Sequence, residues 1–92
     1  MKYILSFSEE AIEGMRKFVI SGEKQVCKNL DKLLAELEIH PKTGSGKPKR
    51  IQFRGEIVWT RRITEKHRLI YDIKDNIVTV TVIKVGGHYD DK

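Results

Sequence analysis

Ninety-two residues at 10.7 kDa suit one small domain over 1–92, in which folding buries roughly 60% of the surface of the unfolded chain. With 39% hydrophobic and 34% charged residues, the chain reads as soluble and globular rather than disordered or membrane-embedded. The formal charge of +5 is lopsided: residues 1–46 hold seven basic and seven acidic side chains, residues 47–92 eleven and six. A neutral half thus precedes a half suited to a polyanion.

In chain order, Met1-Lys2-Tyr3-Ile4-Leu5 turns polar too soon for a secretory signal. No stretch approaches the roughly 20 apolar residues of a membrane span. Residues 2–7 (KYILSF) read as a strand. Ser8 is a helix N-cap candidate, with Glu9 and Glu10 in the first turn where the helix dipole favours anions. Ala11, Ile12, Met15, Phe18 and Val19 follow helical spacing, and Ser21-Gly22 ends the run. A second helix over 23–39 puts Val26, Leu30, Leu33, Leu34 and Leu37 on one face. His40-Pro41 stops it, because the residue before proline is pushed out of the α region. Cys27, the single cysteine, has no internal disulfide partner. It reads as a half-buried structural thiol in a reducing cytoplasm.

Residues 42–50 (KTGSGKPKR) form a glycine-rich basic loop. Strand-like runs follow at Ile51–Arg54, Glu56–Ile63, His67–Ile73 and Ile77–Lys84, linked by Arg54-Gly55, Thr64-Glu65-Lys66 and Asp75-Asn76. Short links favour an antiparallel meander. The expected fold is therefore α+β: an N-terminal strand and a helical hairpin packed on a mostly antiparallel sheet of four to five strands. Neither a Walker-type phosphate loop nor a Rossmann glycine fingerprint is present, which argues against ATP- or NAD-driven chemistry. Nothing in the spacing of Cys, His, Asp and Glu calls for a metal, and no cofactor is expected.

Alternation places Trp59, Arg61 and Ile63 on one face of their strand and Val58, Thr60 and Arg62 on the other. Which face is open is set by register, and a one-residue slip inverts it. Arginines among strand residues are costly unless they meet an anion or line a cleft. The plain alternative is a set of surface arginines on a half-solvated sheet. The functional reading is a phosphate clamp, since guanidinium groups match phosphate oxygens bidentately. His88 near the end of the last strand is a surface histidine or a proton donor and acceptor. His, Arg and Tyr together are the parts of a metal-independent ribonuclease.

Gly46-Lys47-Pro48, the run Trp59-Thr60-Arg61-Arg62-Ile63-Thr64-Glu65-Lys66-His67-Arg68-Leu69-Ile70-Tyr71 and the final His88-Tyr89 resemble the Txe/YoeB toxins of the RelE superfamily. The resemblance implies a microbial-ribonuclease-like fold and the toxin of a type II toxin–antitoxin system. It further implies an endoribonuclease that cuts mRNA in the ribosomal A site, leaving a cyclic phosphate. The implied partners are a cognate antitoxin, mRNA and the ribosome, in a homodimer or a toxin–antitoxin hetero-oligomer and away from any membrane. By position, Arg68 matches the arginine that stabilises the transition-state phosphate. His88 matches the general acid and Tyr89 the adjacent tyrosine that orders substrate. Lys47, Arg50, Arg61, Arg62 and Lys66 are the expected RNA-binding cations.

This sequence departs from the family at Lys49, where relatives carry a glutamate as general base. Lys49 is expected to act electrostatically or as an amine base. The alternative is a catalytically weak homologue that binds RNA or ribosomes without cutting. Gly86-Gly87 also lengthens the approach to His88, and Asp90-Asp91-Lys92 trails beyond Tyr89.

Overall fold

The computed structural model describes residues 2–87. Strand β1 (Ile4–Phe7) leads into helix α1 (Glu9–Ile20), and α2 (Lys24–Ile39) completes a helical hairpin. A meander follows: β2 (Lys49–Phe53), β3 (Glu56–Arg62), β4 (Arg68–Lys74) and β5 (Thr79–Val85). The strands form one sheet in the order β1-β5-β4-β3-β2. All meander pairings are antiparallel, whereas β1 joins β5 in parallel. The helical hairpin supplies the crossover that a parallel pairing requires.

Local chemistry explains the element ends. The Ser8 hydroxyl accepts from the Ala11 N–H at 3.0 Å and donates to the Ile83 carbonyl at 2.6 Å, so one side chain caps α1 and pins it to β5. Helix α2 ends at Ile39, two residues before Pro41. The Asp75-Asn76 turn is a short 3-10 turn over Asp75–Ile77, and Val78 follows it in the left-handed region at φ 48°.

The main core lies between the helices and one sheet face. It gathers Ala11, Phe18, Val26, Leu30, Leu33 and Leu37 from the helices against Ile63, Leu69, Tyr71, Val80, Val82 and Val85. The α2 stripe is as expected, with Leu34 only half-buried. In α1 the expectation is corrected: Ile12 and Val19 are 50% and 69% exposed. The helix rests on the sheet along the narrower line of Ala11 and Phe18.

A second apolar cluster occupies the sheet face away from the helices, where Phe53, Val58 and Ile70 pack with Ile51 and Ile83. A bulge enables this. Ile70 and Tyr71 pair with Lys84 and Val82, which leaves Ile83 as the extra residue. Among the described residues no helix is long and apolar enough to cross a membrane.

Candidate active site

Strand β3 separates its two arginines. Arg61 follows Trp59 onto the helix-covered face and is fully buried, at 0% exposure. Its Nε donates to the Tyr71 hydroxyl at 3.0 Å, and Nη1 donates to Glu36 Oε1 at 2.9 Å and to the Ser45 carbonyl at 3.3 Å. Nη2 donates to the carbonyls of Thr43, at 2.8 Å, and His40. Tyr71 passes its own hydroxyl hydrogen to the Pro41 carbonyl at 2.8 Å. One guanidinium therefore gathers the end of α2 and the loop after it. The placement of Arg61 among the RNA-binding cations is corrected accordingly, since its donors are spent on the fold and no face of it reaches solvent.

Glu36 completes this node, and sequence reasoning missed it. Its carboxylate accepts from the Ser45 N–H at 2.8 Å and the Ser45 hydroxyl at 2.7 Å as well as from Arg61. Burial alone pushes its pKa up, and it is the largest single influence. The Ser45 hydrogen bonds and the Arg61 charge together outweigh it, so the carboxyl sits below the ordinary glutamate value. Tyr71 goes the other way: burial raises its pKa, only partly offset by Arg61. The available signal for Glu36 was its position between Leu33 and Leu37, at the edge of the apolar stripe.

The loop is built around that node. Gly46 has φ 81°, and a Cβ there would lie 2.7 Å from the Arg62 carbonyl oxygen, so a side chain is excluded on both counts. The Gly46 carbonyl accepts from the Arg62 N–H at 2.7 Å, which extends the sheet edge into the loop. Gly46 holds the entry to β2 close to β3.

The open face carries the other cations. Lys49 pairs with Thr60, Thr60 with Ile70, and Arg62 directly with Arg68. Cross-strand partners share a face, so Lys49, Thr60, Arg62, Arg68 and Ile70 lie on one side, with the second apolar cluster as floor. Arg62 and Arg68 are half-buried and Lys49 is exposed. The Arg62 Nε is buried without a hydrogen-bond partner. Arg62 and Arg68 stand opposite each other across the strand pair, an arrangement that an anion accepting from both would favour.

Of the remaining expected cations, Arg50 pairs with Trp59 and so lies on the opposite face at the sheet edge. Lys47 and Lys66 are exposed, one in the loop and one in the turn before β4. His88 and Tyr89 lie outside the described residues. Gly87, the residue before them, is held at the start of β4: its carbonyl accepts from the Arg68 N–H at 3.1 Å, and the Gly86 N–H donates to the Arg68 carbonyl at 2.8 Å.

The family model described as "YoeB-like toxin of bacterial type II toxin-antitoxin system" matches residues 7–89. The chain belongs to the YoeB-like toxins. The YoeB toxin of Mycobacterium bovis is 32% identical over 92% of this chain and 96% of its own. The Staphylococcus aureus YoeB dimer superposes with a TM-score of 0.80 at 26% identity, covering 97% of this chain and all of that one. The YoeB-YefM complex from the same organism gives 0.76 at 27% identity, with 97% and 100% covered. This YoeB-like toxin thus carries the fold that the motif resemblance implied. Its Arg62 and Arg68 lie on the face that the helices leave open.

Proposed function

We propose that this toxin is a metal-independent endoribonuclease that cuts mRNA in the ribosomal A site. The observation that carries the reading is the convergence of Arg62, Arg68 and Lys49 on one open sheet face, in a chain of this family. The scissile phosphate lies against Arg68, with Arg62 beside it, and Lys47 and Lys66 meet the flanking backbone. The 2′-oxygen attacks phosphorus, its proton leaves to a base, and the 5′-oxygen departs with a proton from His88. A cyclic phosphate remains. Arg68 offsets the charge that develops on the crowded phosphate, where preorganised donors contribute most. Lys49 favours the 2′-alkoxide by its charge, and Tyr89 orders the substrate.

An acidic antitoxin is the fitting partner for this face; the staphylococcal YoeB forms a complex with YefM. The toxin acts in the cytoplasm, and a homodimer like that of its staphylococcal relative is the free form.

A second reading is favoured by one residue. A lysine where the family has its base predicts weak cleavage, since a general base contributes about 10²–10⁴ in rate. A translation-coupled cleavage assay on wild type, Lys49→Glu and His88→Ala separates the two. Cleavage by wild type that His88→Ala abolishes supports the ribonuclease. Cleavage only by Lys49→Glu supports the weak homologue, and no cleavage by either overturns both.

A further inference from the structure

His67 stands immediately before Arg68, in the turn that brings β3 back into β4. The turn is closed by its own backbone: the N–H groups of Ile63 and Thr64 donate to the His67 carbonyl at 2.9 and 3.2 Å. The imidazole does not point to open solvent. It packs edge-on against Phe18 of α1, with ring centroids 4.7 Å apart at 73°. Its Nδ1 accepts a hydrogen bond from the Gly87 N–H at 3.0 Å. Its Nε2 faces Glu23 Oε1 at 3.9 Å. An accepting Nδ1 carries a lone pair, so the ring proton belongs on Nε2, toward that carboxylate.

These contacts matter because of what they hold. Gly86 and Gly87 are the most permissive pair of residues the chain could place before His88. Left alone, they would let the end of β5 drift from the start of β4. Gly86 instead sits at φ 101° with its missing Cβ position 2.9 Å from Phe18 Cζ. Gly87 is then gripped at both ends, its N–H by the His67 ring and its carbonyl by the Arg68 N–H. Fixing both sides of Gly87 ties the end of β5 to the start of β4, where Arg68 stands.

We propose that His67 is a positioning residue: its Nδ1 latches Gly87, whose carbonyl in turn holds the Arg68 N–H, and thereby sets where Arg68 stands on the open face. The inference rests on the ribonuclease reading for its consequence in rate, but the latch is a contact that can be measured without cleavage. Reacting groups displaced by about 1 Å lose on the order of 100-fold in rate. The loss falls on kcat, because the RNA-binding cations are untouched.

The test uses three forms of the full chain. His67→Phe keeps a ring against Phe18 and removes the acceptor. His67→Asn gives up the ring but puts an amide oxygen close to the position of Nδ1. The expected result for His67→Phe is a kcat lowered by about 10- to 100-fold with KM unchanged, and faster amide exchange at Gly87. His67→Asn recovers part of kcat and of the protection. An unchanged kcat in His67→Phe, or equal Gly87 exchange in all three forms, overturns the latch. A drop in both variants with equal loss of thermal stability also overturns it, since packing alone would then explain the effect. If wild type does not cut RNA, the ribonuclease reading fails, while Gly87 exchange still decides the contact.

Discussion

Arg61 and Arg62 are adjacent in the chain and opposite in circumstance. Arg61 is enclosed by α2 and the loop after it, with Glu36, Tyr71 and three main-chain carbonyls as partners. Arg62 lies on the open face opposite Arg68, with a buried Nε that meets no acceptor. The same side chain is a structural rivet on one face and, on the other, a cation with one buried donor unmet. Burial of a charge is tolerable where every donor is met. An unmet donor next to a second cation is a cost in stability, and such a cost persists where an anionic ligand can relieve it.

The largest expected effect comes from breaking the closed side. Arg61→Leu strands the Glu36 carboxylate, the carbonyls of His40, Thr43 and Ser45 and the Tyr71 hydroxyl. Removing one member of a buried pair costs about 3–5 kcal/mol, which urea denaturation reads directly. A loss under about 1 kcal/mol would mean that the guanidinium merely fills space. Next in size is Arg68→Ala on the open side. Losing one group that stabilises transition-state charge costs about 10²–10³ in rate, read by primer extension on translated mRNA, while the urea midpoint stays close to wild type. Equal damage to stability and cleavage would erase the contrast between the faces.

A smaller effect probes the partner of Arg61. Glu36→Gln keeps the shape but weakens charge-assisted hydrogen bonds, for about 1–2 kcal/mol at neutral pH. The Glu36 pKa is lowered on folding, so the folded state binds its proton less readily than the unfolded state does. Its contribution is therefore fully present above the ordinary glutamate pKa of about 4.3 and is lost as the pH falls through the lower folded value. Stability curves of wild type and Glu36→Gln should converge over that acid range. Curves that stay parallel down to the acid limit would remove Glu36 from the linkage.

Much of this arrangement was legible and some was not, for physical reasons. The alternation that sends Arg61 and Arg62 to opposite faces follows from the two-residue period of a strand. Their assignment to covered or open faces does not, because it depends on where the helices land. The saturation of Arg61 was hidden for a further reason: three of its partners are backbone carbonyls, which every sequence has. Ile12 and Val19 fit the helical stripe, yet a 12-residue helix over a twisted sheet buries Ala11 and Phe18 and half-covers Met15, leaving those two outside. The parallel pairing of β1 with β5 is a property of the crossover, and short-range turn signals speak only for the meander. His67 was visible as part of a motif, but its role depends on Phe18 and Gly87, which are distant in sequence. Lys49 stood out only through the family resemblance, since a lysine in a basic loop carries no signal by itself.

The smallest expected effect has the opposite sign to the first. Arg62→Met keeps an apolar stem, puts a methyl group where the buried Nε stood and removes the like charge across from Arg68. Like charges directly across a strand pair cost about 0.2–1 kcal/mol, so the variant should be more stable than wild type by that order. It should also bind RNA more weakly, and the slope of log affinity against log salt should fall by about one, as expected for one lost phosphate contact. Thermal melts and a salt titration with a short oligoribonucleotide measure the two halves. A stabilised variant with an unchanged salt slope would leave Arg62 as frustration without a ligand. A destabilised variant would mean that its stem packs the floor as firmly as Arg61 packs the core. Stability gained and affinity lost at one position, beside a neighbour whose loss destabilises the chain, is what an open anion-binding face predicts.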